Sequence, residues 1–268
     1  MTLAGKRAIV TGGARGIGRA IALAFLREGA SVFITGQTEE SVKKGIEGLK
    51  AEVQNGNHGN GVHISGASLD VRDQASVERA VDAAMNQLGE VDVLVNNAGR
   101  GGGGPTVSTP EQVWFDVIEV NLNGTYRMTR TVLARSGMIK KKWGRIINMA
   151  STGGKQGVQL AAAYTASKHG VVGFSKSLWL ELAKTGVTVN AICPGFVETD
   201  LAKTARDNYA RIWGVDADEV LRRFEARIPI GRYVRPDEVA PLAVMLASDS
   251  SGAITAQAIN VCGGLGNY

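Results

Sequence analysis

Short apolar runs alternate with amphipathic stretches along all 268 residues of the chain, and that alternation restricts the fold more than any other feature. Runs of four to eight residues that are apolar throughout suit strands covered on both faces, and stretches with a period of 3.6 supply the helices that cover them. The pattern predicts strands at Ala8–Thr11, Ser31–Thr35, Val62–Leu69, Val91–Val95, Arg145–Ala150, Thr188–Cys193 and Ala258–Val261. Between the first two, Ile17, Ala20, Ile21, Ala24 and Phe25 recur at helical spacing until Gly29 closes the helix. Further helices are predicted over Gln74–Leu88 and Tyr164–Lys184, so the chain reads as repeated βαβ units around one parallel sheet.

Thr109, Pro110 and Gln112 mark a helix start, with Thr109 as cap, Pro110 first and Gln112 third, and the helix is expected to run to about Leu133. Residues 196–235 read as an inserted helical segment over the sheet edge, after which Pro236 opens another helix. Gln54–Gly61 reads as an exposed polar loop, and Lys140–Lys142 as a solvated turn. Apolar residues make up 44% and charged residues 21%, which excludes a disordered or fibrous chain. The net charge of +5 comes without a long basic block, so nucleic acid is not an expected partner. Cys193 and Cys262 both lie in apolar stretches, which argues against a disulfide framework and for free thiols in a reducing compartment. The three histidines form no ligand cluster, and no metal is expected. A strand beginning near Lys6 leaves no room for a signal peptide and no apolar run reaches membrane-spanning length, so a cytoplasmic protein is expected.

Three motifs carry chemistry. Thr11-Gly-Gly-Ala-Arg-Gly-Ile-Gly18 lies between the first strand and the first helix, where Gly12, Gly16 and Gly18 let backbone N–H groups and a helix N-terminus approach a pyrophosphate. A glycine turn by itself also suits a tight strand–helix connection. Asn96-Asn-Ala-Gly99 follows the fourth strand, where small residues let an adenine ring meet the sheet edge, though four such residues also make a plain turn. Tyr164-x-x-x-Lys168 puts two side chains on one helix face, a spacing that an exposed polar face shares. Ser151 at the end of the fifth strand and Asn121 in the preceding helix turn these separate signals into one constellation.

With these residues the chain resembles the short-chain dehydrogenase/reductase family, over essentially its whole length. Within it the chain is similar to the ketoreductases of bacterial aromatic (type II) polyketide synthases. Ser151-Thr-Gly-Gly-Lys-Gln-Gly157, Ser167–Phe174, Cys193-Pro-Gly-Phe-Val-Glu-Thr199, Ile228–Tyr233 and Val261-Cys-Gly-Gly-Leu-Gly-Asn-Tyr268 carry that closer likeness. The resemblance implies a single Rossmann-type, doubly wound α/β domain over 1–268, a seven-stranded parallel sheet in the order 3-2-1-4-5-6-7 with helices on both faces, and residues 196–235 as a substrate lid.

The resemblance also implies roles. Tyr164 would protonate a ketone oxygen as hydride arrives, and Lys168 would pull the phenol below its ordinary pKa of about 10 and hold the nicotinamide ribose. Ser151 would hydrogen-bond the substrate oxygen, and Asn121 would position a proton-resupplying water. Gly12, Arg15, Gly16, Ile17, Gly18, Gly36, Gln37, Asp70, Val71, Asn97, Ala98, Gly99, Pro194, Gly195, Val197 and Thr199 would bind the nucleotide, together with Tyr164 and Lys168. Thr35-Gly36-Gln37-Thr38 lacks the carboxylate that an NAD enzyme places there, and Arg15 suits a 2′-phosphate, so NADPH is the expected cofactor.

Substrate contacts are expected from Arg100, Gly102, Gly103, Gln156, Tyr209 and Trp213; core packing explains the last two equally well. Two departures from the relatives stand out: Gln37 where they tend to have Arg, and Gly101 where they generally have Pro. The expected function is NADPH-dependent reduction of a cyclic or carrier-bound polyketide ketone, with an acyl carrier protein as partner through Arg72 and Arg100, in a homotetramer. Alternatives are a 3-oxoacyl-carrier-protein reductase, a reductase of another bulky ketone, and a non-catalytic NADP redox sensor.

Overall fold

The computed structural model describes residues 1–55 and 61–268. Strands β1 (Arg7–Val10), β2 (Ser31–Gly36), β3 (Ile64–Ser68), β4 (Val93–Asn96), β5 (Gly144–Met149), β6 (Val187–Pro194) and β7 (Ala258–Val261) form one sheet in the order β3-β2-β1-β4-β5-β6-β7. Every pairing is parallel, and both the order and the class are those the family resemblance implies. Neighbouring strand residues face opposite layers, as the period of two requires. Val10, Ile34 and Ile147 face a core built with helices α1 (Gly16–Arg27), α2 (Glu39–Asn55) and α9 (Pro236–Ala247). Ile9, Phe33 and Ile146 face a second core built with α3 (Gln74–Leu88), α5 (Gly124–Arg135) and α6 (Ala162–Leu182). Parallel strands need a crossover between them, and the layers on both faces are those crossovers.

The elements depart from the sequence reading in three places. Helix α2 was not predicted, because Gly45, Gly48 and a run of Glu and Lys blur its stripe; Val42, Leu49 and Val53 are nevertheless buried on one face. It includes Gln54 and Asn55, which were expected in a loop; the rest of that loop as far as residue 60, with His58, lies outside the described residues. Pro110 precedes the helix instead of opening it, and Thr109 caps nothing, since its hydroxyl donates to Pro105 O at 2.8 Å. The long helix expected to follow is three pieces: α4 (Glu111–Ile118), a π-helical turn Glu119–Asn123, and α5. The expected solvated turn at Lys140–Lys142 is observed, with Lys140 and Lys142 exposed and the half-buried Lys141 paired with Asp92 and 3.6 Å from Glu90.

Residues 196–235 carry α7 (Asp200–Trp213) and α8 (Ala217–Glu225), capped by Thr199 and Asp216. The two ends of the segment are tied: Val197 and Val234 form a parallel bridge, and Glu198 N donates to Val234 O at 2.9 Å. Its interior is aromatic, with Phe196 stacked on Phe224 at 4.6 Å and Tyr209 edge-on to both Trp213 and Phe224 at 5.0 Å. Among the described residues no helix is long and apolar enough to cross a membrane.

Candidate active site

The C-terminal ends of the central strands, where a doubly wound sheet binds its ligands, bring the singled-out residues together. The glycine turn folds back between β1 and α1. Gly12 and Gly16 hold φ of 63° and 56°, in the left-handed region that a side chain disfavours. Gly18 has no room for a Cβ, which would stand 2.4 Å from Asn97 Nδ2. Asn97 ties the turn to the end of β4: its amide donates to Thr11 O at 2.9 Å and Gly12 O at 3.2 Å. Thr11 Oγ1 in turn accepts from the N–H groups of Asn97 and Ala98, both at 2.9 Å. The N-terminus of α1 has no side-chain cap and no acid in its first turn, so its free N–H groups and dipole suit a phosphate.

The surrounding nucleotide candidates fall on one rim. Ile17 packs into the core beneath the turn, and Gly36 and the exposed Gln37 end β2. A Cβ on Gly16 would sit 3.5 Å from Thr199 Cγ2, which places Val197–Thr199 across from the turn. Pro194 ends β6, and Gly195 presses on Cys262 so closely that a Cβ would stand 2.9 Å from its Cβ. Val71 packs under the π-turn, where a Cβ on Gly124 would meet it at 2.7 Å. Asp70 accepts from the Arg72 guanidinium at 2.7 Å, and that bond holds its carboxyl below the usual range. Exposed Arg15 lies 3.4 Å from Asp200 at the start of α7.

The four remaining candidates meet in pairs, Asn121 with Lys168 at Gly99 and Ser151 with Tyr164 at Gly153. A Cβ placed on Gly99 would lie 3.3 Å from Asn121 Oδ1 and 3.7 Å from Lys168 Nζ, and one on Gly153 would lie 3.4 Å from Ser151 Oγ and 3.6 Å from the Tyr164 ring. Asn121 sits in the π-turn, a distortion that recurs at functional sites. Its amide donates to Arg100 O and to Ser167 Oγ, both at 3.0 Å, and its Oδ1 accepts from Arg100 N at 2.8 Å. Ser151 follows β5 and accepts from Gly153 N at 3.0 Å.

Lys168, buried on α6, donates to Met149 O at 2.7 Å, and burial lowers its pKa to about 8. Burial pushes the Tyr164 phenol up, against a smaller downward pull from the Ser151 hydroxyl. This corrects the expectation that Lys168 pulls the phenol down. The ammonium stands 5.7 Å from the Tyr164 ring centroid and its own charge is disfavoured by the same burial, so desolvation dominates.

The loop Arg100–Gly104 borders the site through the Arg100 backbone, which pairs with Asn121. Arg100 pairs with Asp116 at 2.6 Å. Gly102 presses on Val117, and a Cβ on Gly103 would collide with Leu160 O at 2.0 Å. Gln156 is half-buried at the end of the turn that begins at Ser151. Tyr209 is only 9% exposed and its hydroxyl donates to Gln159 O, while Trp213 is half-buried against it. Both rings pack in the aromatic core of the 196–235 segment.

Several residues holding the site carry no role in the sequence reading: Thr11, Thr35, Asn96 and Ser167, which lie inside the singled-out segments, and Asn148 in the fifth strand. Asn96 faces Asn148 across β4 and β5, and its amide donates to Asn148 Oδ1 at 2.8 Å. Two asparagines in otherwise apolar strands were the available signal, since buried amides require partners.

With this geometry in view, the family profile described as short chain dehydrogenase matches residues 6–210, and the chain belongs to that family. It is 51% identical over 261 residues, 97% of both chains, to a protein assigned as a ketoacyl reductase in Streptomyces coelicolor. It is 38% identical over 265 residues, 99% of both chains, to the 3-oxoacyl-[acyl-carrier-protein] reductase of Vibrio cholerae. Among solved structures it resembles a single-substitution variant of actinorhodin polyketide ketoreductase crystallised with NADPH, at a TM-score of 0.92 and 50% identity over 98% of each chain.

Proposed function

We propose that the chain is an NADPH-dependent ketoreductase that reduces the ketone of a cyclic or carrier-bound polyketide to a secondary alcohol. The observation that carries this reading is the meeting of Asn121 with Lys168 at Gly99 and of Ser151 with Tyr164 at Gly153, with the Lys168 ammonium 5.7 Å from the Tyr164 ring centroid. The cradle fits a dinucleotide: Gly12, Gly16, Gly18 and the uncapped α1 face its phosphates, Asp70, Val71 and Asn97–Gly99 its adenine side, and Pro194, Gly195, Val197 and Thr199 its nicotinamide side. Gly36 and Gln37 put no carboxylate at the end of β2, and the Arg15 guanidinium would suit a 2′-phosphate, which supports the phosphorylated cofactor.

Bound NADPH supplies hydride to the carbonyl carbon. Tyr164 donates its proton to the carbonyl oxygen, a role suited to a phenol that burial keeps protonated at neutral pH. The Ser151 hydroxyl donates to the same oxygen as charge develops there. Lys168, fixed on Met149 O, presents its remaining donors to the ribose. Asn121 holds Arg100 and Ser167, and so keeps the bordering loop and α6 in register.

Residues 196–235 serve as the substrate lid of this single domain, with Tyr209 and Trp213 as its stiff interior. Arg72 and Arg100 already engage Asp70 and Asp116, so a free ketone is the assay substrate of choice, with a carrier-bound one as a second arm. A cytoplasmic setting is in keeping with two buried free thiols. Exposed Trp114, Phe115, Tyr126 and Leu180 on α4, α5 and α6 supply the apolar surface for a homotetramer.

The test follows NADPH consumption with trans-1-decalone and with a short linear 3-oxoacyl thioester. Faster turnover of the bicyclic ketone is expected. Preference for the linear thioester would assign the chain to the fatty-acid type that the Vibrio cholerae relative represents. Nucleotide binding without turnover of either would leave a redox sensor.

A further inference from the structure

Two segments singled out in the sequence, Ser151–Gly157 and Val261–Tyr268, meet in the fold, and the mechanism above uses only Ser151 from them. Lys155 is the joint. Its ammonium donates to Tyr268 O at 2.9 Å, to Ala258 O at 3.2 Å and to Asn260 Oδ1 at 3.2 Å, which engages all three of its N–H donors. The ammonium also lies 5.0 Å from the Tyr268 ring centroid, and the Tyr268 hydroxyl donates to Thr152 O at 3.2 Å. Tyr268 is held from its own side, because Asn260 Nδ2 donates to Gly266 O at 3.1 Å and Gly266 N to Cys262 Sγ at 3.3 Å.

The segment thus fixed begins at Ser151. Gly153 N donates to Ser151 Oγ, so the rotation of the hydroxyl depends on where this short turn sits. On its other side the turn presses against the helix that carries Tyr164 and Lys168, where a Cβ on Gly154 would stand 2.6 Å from Lys168 O. The turn is therefore clamped between α6 and the β7 segment, and Lys155 and Tyr268 form the half of the clamp that can be altered without touching the helix.

We propose that Lys155 is a positioning residue for the reduction, acting with Tyr268 to aim the Ser151 hydroxyl at the substrate oxygen. The inference rests on the role given to Ser151 above. An ammonium with three oxygen acceptors resists displacement more than a neutral pair does, and a hydroxyl aimed at developing charge is sensitive to small displacements.

The experiment is a double-mutant cycle on the purified enzyme with NADPH and trans-1-decalone. K155M is expected to lower kcat about tenfold, and Y268F, which removes a single hydrogen bond, about two- to threefold. The Kd for NADPH, read by fluorescence titration, is expected to stay within about twofold of the parent, because the hydrogen bonds of Lys155 go to Ala258, Asn260 and Tyr268 and to no residue of the glycine turn. In an S151A background both substitutions are expected to cost nothing further, since the group they aim is gone. Equal losses with and without Ser151, or an unchanged kcat in both single variants, would overturn the proposal. Should K155M prove too unstable to assay, the cycle with Y268F decides on the same criteria. If S151A itself leaves kcat intact, the role of Ser151 and this inference fall together; if only the cycle is additive, the inference falls alone.

Discussion

At Tyr164 and Lys168 one environment acts on an acid and a base in opposite directions. Burial disfavours the charged form of each, raising the phenol and lowering the ammonium to about 8. The phenol therefore enters a reduction protonated, and Tyr164→Phe, which deletes the transferable proton and keeps the ring, is expected to cut turnover by more than about a hundredfold with NADPH binding retained. Near-parental turnover at saturating ketone would remove Tyr164 from the role.

Lys168 has a consequence for stability. Between its lowered folded pKa of about 8 and its ordinary value of 10.5, the unfolded chain holds a proton that the folded one has shed. Its contribution to stability rises with pH through that window, and its burial penalty is fully present below about pH 8. Lys168→Met is accordingly expected to be more stable than the parent at pH 7, with the gap narrowing toward pH 10 as followed by thermal melts. A gap that widens with pH would contradict the assignment.

At the scale of elements, two local irregularities do more than regular helix would. The π-turn Glu119–Asn123 interrupts what the sequence predicts as one helix, and it points Asn121 back at the Arg100 backbone while Gly124 beds on Val71. The open N-terminus of α1 is the other. Its preceding residue, Arg15, is exposed and has Asp200 as its partner, an exchangeable contact at high solvent exposure. Arg15→Ala is expected to lower the kcat/KM preference for NADPH over NADH by about tenfold, since a charge-assisted contact to the 2′-phosphate disappears. An unchanged ratio, or a parent enzyme indifferent between the two cofactors, would refute this.

At the scale of the whole molecule, the apolar faces of α4, α5 and α6 are left in water by the single chain. Phe115 is 53% exposed, Tyr126 51% and Leu180 66%, and nothing within 4 Å occupies the space beside Gly173 on α6. Gly170, by contrast, serves the chain itself, its missing side chain making room for Leu122. Pairing of these helices with a second copy, repeated by a second symmetry axis, gives the homotetramer proposed above. Light scattering at micromolar concentration is expected to give the tetramer mass, and Phe115→Glu with Leu180→Glu to reduce it. A monomer mass for the parent would dismiss the assembly.

The sheet was legible in the sequence because its central strands are buried on both faces, and an apolar run such as Val93–Val95 states that burial without reference to its neighbours. The glycine turn and the Tyr164–Lys168 step were legible for a similar reason: backbone conformation and helical spacing are local properties. Helix α2 was not, because its stripe is broken by Gly45, whose lack of a Cβ lets the helix lie against Ala14; that is a demand of packing. The sequence alone left Tyr209 and Trp213 divided between ligand surface and core, and the fold packs both into the aromatic cluster of the 196–235 segment, whose ends it ties together. The direction of the Tyr164 shift and the meeting of Lys155 with Tyr268 were likewise decided only in three dimensions. Desolvation and long-range hydrogen bonds depend on what surrounds a group, and residues 113 positions apart become neighbours only once the sheet has brought them together.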